Sequence, residues 1–142
     1  MLDSEIILPY KDDEGIIHGE AIKVTKEGSY YRIKSIPLYA SKIALYDLIE
    51  VRKREGVPYF KKIIESSGRN VIQVIVVDPE QIKAIERDLE HFGCLWRRSD
   101  SNKHLIAFDV PRHVPYWPIR NWLDHGEQEL LWGYREACIS HK

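Results

Sequence analysis

Six histidines, two cysteines and a serine–glycine pair are the residues of this chain with the most obvious chemical potential. The histidines are His18, His91, His104, His113, His125 and His141. A zinc site calls for close ligand pairs such as HxxxH or CxxC, and neither spacing occurs. Asp109 and His113 could form an orienting carboxylate–imidazole pair, but Val110-Pro111-Arg112 between them makes a solvated loop pair the expectation. Ser67-Gly68 follows a strand-like run, yet the full G-x-S-x-G elbow is missing, so a turn is expected. Cys94 has His91 three residues upstream. That histidine suits the last turn of a helix, where a cation favours the dipole. Cys94 itself reads as a small packed hydrophobe. The glycines form neither GxGxxG nor a Walker A pattern. No metal, no cofactor and no catalytic residue is expected.

Charged and aromatic residues point to binding instead. Asp12, Asp13 and Glu14 make one acidic group, and Asp124, Glu127 and Glu129 another. Carboxylates of this kind could face a basic partner surface and speed association. Tyr116, Trp117, Trp122, Trp132 and Tyr134 crowd the last quarter. Of these, Tyr116 and Trp117 are expected to be exposed as interface anchors, and Trp122 to be core. A basic set, Arg52, Lys53, Arg54, Lys61 and Lys62, lies on one expected hairpin with Tyr59 and Phe60. It could hold phosphates while a ring stacks on a base. The alternative is a solvated edge hairpin whose lysines block aggregation. A net charge of -1 favours that alternative.

The elements that must position these residues follow from periodicity and punctuation. Glu5 to Pro9 reads as a strand, followed by a turn at Asp12-Asp13-Glu14-Gly15. Ile16 to Val24 and Tyr30 to Ile36 read as one hairpin, and Tyr46 to Arg52 with Tyr59 to Ser66 as a second. Leu48, Ile49, Val51, Phe60, Ile63 and Ile64 could supply inward faces. Val71 to Val77 is a nearly continuous β-branched run, as expected for a strand covered on both sides. Asp78 caps the next helix, Pro79 takes its first position and Gln81 completes a capping box. Ile82, Ile85, Leu89 and Phe92 recur at helical spacing, and Gly93 fits a left-handed cap. Strands are expected at Cys94 to Arg98 and His104 to Val110. A short helix holds Ile119, Trp122 and Leu123 and ends at Gly126. Leu131 to Ile139 reads as the last strand.

The fold class expected is α+β. Residues 1–68 form a small curled sheet or SH3-like barrel. Residues 69–142 form a β-α-β-β-α-β unit, the ferredoxin-like split βαβ, and the two parts pack as one unit. In that plan the first and third strands of the unit are central. A chain of 142 residues, 44% hydrophobic, can build a core without staples. Isolated cysteines suit a reducing compartment. No apolar run approaches the ~18 residues of a membrane span. The acidic start, Met1-Leu2-Asp3-Ser4-Glu5, lacks the basic and apolar regions of a signal peptide, so a cytoplasmic protein is expected.

Several stretches carry a family resemblance. They are Ser35-Ile36-Pro37-Leu38-Tyr39-Ala40, Tyr46-Asp47-Leu48-Ile49-Glu50-Val51, Glu65-Ser66-Ser67-Gly68, Gly93-Cys94 and Asp109-Val110-Pro111. Asp124-His125-Gly126-Glu127 and Leu131-Trp132-Gly133-Tyr134-Arg135-Glu136 complete the ordered set. Together they resemble a bacterial family, domain of unknown function 4265. One departure stands out: Tyr46 occupies a position where the family pattern implies glycine. The resemblance implies no activity and transfers no site residue.

The expected function is therefore non-enzymatic protein binding, with a cognate bacterial toxin as the partner. The chain would be an immunity protein that occludes the toxin's active surface. Asp12, Asp13, Glu14, Tyr116, Trp117, Asp124 and Glu127 are the expected contacts. A nucleic-acid module using the basic hairpin and a small-ligand sensor with a pocket between the halves are the alternatives.

Overall fold

A computed structural model describes residues 3–142; Met1 and Leu2, from the acidic N-terminal stretch, lie outside it. The described chain is a mixed α+β protein with two mostly antiparallel sheets and two α-helices.

The first sheet contains β1 (Asp3–Lys11), β2 (Ile17–Glu27), β3 (Tyr30–Ile33), β4 (Leu48–Arg54) and β5 (Val57–Glu65). Neighbours pair antiparallel in chain order, and β5 returns to β1 in one parallel bridge, Ile7 opposite Tyr59. Alternation selects the inner face: along β2, Glu20, Ile22 and Val24 point inward while Ala21 and Lys23 point out. Ile6, Leu8, Ile22, Val24, Ile33 and Ile49 fill the interior.

The second sheet orders β6 (Asn70–Val76), β7 (Leu95–Arg98), β8 (Leu105–Val110) and β9 (Trp132–Cys138) as β7-β8-β6-β9. Every pairing is antiparallel, and the two apolar runs occupy the central positions. Helices α1 (Ile82–Phe92) and α2 (Trp117–Gln128) cover one face. Ile82, Ile85 and Leu89 of α1 and Ile119 and Leu123 of α2 pack on Ile72, Val74, Ile106 and Phe108. Asp78 caps the first turn by accepting from the Glu80 N–H, and that turn, Pro79–Gln81, is 3-10 rather than α. Gly93 takes φ 86° and ends α1 as expected.

Between β3 and β4 the chain runs as an irregular strap, residues 34–47. Its ends, residues 34–36 and 46–47, are not strand, against the hairpin expectation. Ala40 and Ile43 of the strap enter the first core. Ile36, Leu38, Ala44 and Leu45 pack on Val71, Leu105, Ala107 and Ala137, on the face of the second sheet away from the helices. Each large aliphatic side chain so buried contributes about 1.5–3 kcal/mol. This double cover explains why β8 is buried at every position.

The structure corrects several local readings. Gly126 does not end α2; it lies inside it, where a Cβ would stand 1.9 Å from the Trp132 ring. Ile63 and Ile64 do not join the first core and are each 37% exposed; a register shift in the β4–β5 pairing leaves Ile64 without a ladder partner and interrupts the alternation there. Lys53 and Pro58 are paired ladder residues, so the turn shrinks to Glu55-Gly56. Asp109 is fully buried rather than solvated beside His113, and its carboxylate binds Arg69 through two bonds of 2.8 and 2.7 Å. Tyr116 is buried, its hydroxyl donating to Glu136 at 2.7 Å.

Candidate functional site

The site begins with a buried carboxylate. Glu20 lies on the inner face of β2 and accepts the backbone N–H groups of Leu38, Tyr39 and Ala40 at 2.7, 3.0 and 3.0 Å. Three successive N–H groups on one carboxylate form an anion-holding nest. Arg97 stands 3.6 Å from Glu20 and donates to the Ile36 carbonyl at 2.8 Å. From the second sheet, Gln73 donates to the Pro37 and Ala40 carbonyls at 3.3 and 2.9 Å. Arg135 donates to the Tyr39 carbonyl and to Gln73 Oε1. The strap is thus held from both sides, and its buried polar groups find partners.

This clamping fixes Tyr39 against the first sheet. Tyr10 and His18 are cross-strand partners on β1 and β2. Their rings stack at 5.4 Å, and Tyr39 stacks on Tyr10 at 5.2 Å with planes 13° apart. Burial and the neighbouring Tyr39 hydroxyl raise the Tyr10 pKa. Asp12 anchors the far end: its carboxylate takes His18 Nε2 at 2.8 Å and the N–H groups of Glu14 and Ile16 at 2.9 Å each. The His18 bond, followed by the Ile16 N–H, lowers the Asp12 pKa.

A cleft of about 460 Å³ opens between these rings and the second sheet. Ile75, Leu105 and Gly133 belong to its apolar lining; Lys11, Asp13, Gln73 and Arg135 supply polar groups. Volume, apolar lining and few convergent polar groups are the attributes of a ligand pocket. A larger concavity of about 600 Å³ at the β7–β8 turn is a weaker candidate. Several of its polar groups hold the turn itself: Ser99 Oγ accepts from the Ser101 and Asn102 N–H groups, and Asn102 accepts from the His104 N–H. Among the described residues, no cluster of three or more His, Cys, Asp or Glu stands close enough to hold a metal ion.

The expected contact residues do not meet in one place. Asp12 and Asp13 line the cleft, whereas Glu14 is exposed in the β1–β2 turn. Trp117 is 65% exposed at the head of α2. Asp124 accepts from the Tyr134 hydroxyl and Glu127 is exposed, both further along that helix. Of the basic set, Arg52, Arg54, Tyr59 and Lys61 share one small concavity. Lys53 and Lys62 adjoin it in the same hairpin. Tyr10, His18, Tyr39, Gln73 and Arg135 line the cleft without being among the expected contacts. A signal existed for Glu20, a charge in phase with Ile22 and Val24 on the apolar face of a strand.

Of the residues that carry the family resemblance, Leu38, Tyr39, Gly133, Tyr134 and Arg135 line the cleft, and others build structure. Asp47 accepts from the Ala44 and Ser67 N–H groups at 2.9 and 2.8 Å, joining the strap to the Ser66-Ser67-Gly68 turn. Beside it, Tyr46 takes φ 67°, the conformation a glycine would adopt freely. Its ring is within cation–π range of two cations, Lys34 Nζ at 5.5 Å and Arg69 Cζ at 4.9 Å. Burial pushes the nearby Cys94 thiol up to about 12.

Fold and site together define an α+β domain with a cleft at the seam of its two sheets. Its family follows from the sequence: the model for a domain of unknown function (DUF4265) matches residues 20–134, and the chain belongs to that family. A crystal structure described as a hypothetical protein from Neisseria gonorrhoeae has the same fold, with a TM-score of 0.87. Sequence identity is 23%, and the match covers 100% of this chain and 99% of that one. No curated protein matches the chain significantly.

Proposed function

We propose that this protein works by binding, and that its recognition site is the seam cleft, which takes a small ligand carrying a flat ring. The observation that carries this reading is the three-ring stack of His18, Tyr10 and Tyr39 lining a cleft with Ile75 and Leu105. Such surfaces favour planar apolar groups, and Lys11, Asp13 and Arg135 supply orienting polar contacts. We further infer a small barrel for the first sheet, supported by the β1–β5 bridge, and a ferredoxin-like unit for the second, supported by its strand order.

Ligand-observed NMR with a panel of nucleosides and aromatic heterocycles tests the cleft. Saturable binding is expected, weakened by Ile75→Glu; Ile75 is 48% exposed, so the substitution leaves the core intact. Absence of any binder across the panel would refute the reading.

A second reading, inhibition of a cognate toxin, draws support from Trp117, a large exposed ring that shares a face of α2 with Asp124 seven residues on. Co-expression with the toxin of a neighbouring reading frame tests it. Protection lost in Trp117→Ala supports it, and no protection by the native chain discards it.

A further inference from the structure

The seam cleft is one end of a longer track. At the other end lies the basic hairpin, where Arg52, Arg54, Tyr59, Phe60 and Lys61 line a concavity of about 190 Å³. A second concavity, about 530 Å³, shares Arg54, Tyr59 and Phe60 with it and runs across the first sheet to Pro9 and Ile17. A third, about 370 Å³, shares Pro9 and Ile17 and continues to Tyr10, Lys11, Tyr39 and Arg135. Those four residues also line the seam cleft.

Along this track cations and rings interleave. Among the described residues, Arg52, Lys53 and Arg54 have no carboxylate within 4.0 Å, and the Arg54 guanidinium stands 5.7 Å from the Tyr59 ring. Lys61 and Lys62 share the single carboxylate of Glu50. Over β4, β5 and their turn, five cations stand against three carboxylates. Ile17 and Val57 are 67% and 41% exposed between the two ends.

We propose that this track binds single-stranded nucleic acid. Unpaired cations would follow the phosphates, while Tyr59 at one end and Tyr39 at the other offer faces to bases; Phe60 backs Tyr59's concavity from the first core. A duplex hides its base faces, and an acidic peptide would not use the rings. Asp12 and Asp13 would repel phosphate at the cleft, so the track ends there on a base. Only that terminal base rests on the cleft reading; the hairpin half stands independently of it.

Fluorescence anisotropy on the full chain, with labelled oligo-U and oligo-dT of about 12 nucleotides at about 50 mM salt, tests the proposal. Three or four phosphate contacts predict that log Kd rises with log salt at a slope of about 2–3. Arg52→Glu with Arg54→Glu is expected to weaken binding at least tenfold. Tyr59→Leu should weaken it severalfold, and Arg87→Glu, on α1, should leave it unchanged. Ile75→Glu is expected to reduce nucleoside binding while retaining most oligonucleotide affinity, which separates failure of the cleft from failure of the track. Melting curves establish that each variant is folded. The proposal is overturned by absence of binding, by indifference to the arginine pair, or by equal affinity for a blunt duplex. Displacement by oligo-glutamate at equal charge concentration would replace it with an acidic-peptide site.

Discussion

Tyr46 holds a left-handed backbone without being glycine, and its ring is in contact range of two cations. The conformation costs about 1–2 kcal/mol, whereas a cation–π contact returns about 0.5–1 kcal/mol. Tyr46→Gly should therefore keep native stability to within about 1 kcal/mol in urea unfolding. Tyr46→Ala retains the strain and loses the ring, so it should cost about 1–2 kcal/mol. Asp12 makes a pH prediction. Its folded pKa is lowered, so its contribution is present above the ordinary carboxylate range and lost as pH falls through the lowered value. Hydrogen exchange at the Glu14 and Ile16 amides should accelerate over that acidic interval, and Asp12→Asn should flatten the response. Cys94, with its thiol near 12, should resist alkylation at neutral pH until the protein unfolds. At this scale the sequence showed Cys94 as buried and Tyr46 as a departure from its family. It could not show the two cations at the Tyr46 ring, because Lys34 and Arg69 reach it from separate segments.

Elements were easiest to read where one period dominated. β6, β8 and α1 announce themselves through apolar runs, β-branched in β6, and through a proline-led cap and 3.6-residue spacing in α1. Irregular pairing defeated the same logic at β5, where register shifts break the alternation. Gly126 misled for another reason. Glycine usually marks a helix end, but here it makes room for Trp132, whose indole N–H donates to the Leu123 carbonyl at 3.0 Å. Gly126→Ala should therefore overpack α2 against β9 and cost about 1–3 kcal/mol. Gly133→Ala, with nothing within 4 Å of the added Cβ, should leave stability nearly unchanged. A pair of thermal melts decides between crowding and a generic glycine effect.

At the scale of the molecule, the two-sheet plan was legible and the strap was not. Residues 34–47 lack periodicity, since they satisfy two cores at once and obey neither pattern. The cleft stayed hidden for the same reason: its rings come from β1, β2 and the strap, and only folding assembles them. Glu20 ties these parts together. Glu20→Ala would leave the Leu38, Tyr39 and Ala40 N–H groups without their acceptor, at about 1–3 kcal/mol for each group that stays dry. Fast exchange at those amides, with loss of the Tyr10–Tyr39 stacking signature in near-ultraviolet circular dichroism, is the expected outcome; protection equal to the native chain would contradict it.

The strap's double membership also determines how the polypeptide can be divided. It contributes Ala40 and Ile43 to one interior and Ile36, Leu38, Ala44 and Leu45 to the other. A break after Gly68 would leave the second fragment with a bare apolar sheet face and the first with an unmoored apolar segment. Each fragment carries the surface that the other lacks. Mixing the two should restore one cooperative fold from two incompetent halves, which suits this scaffold to a split reporter of molecular proximity.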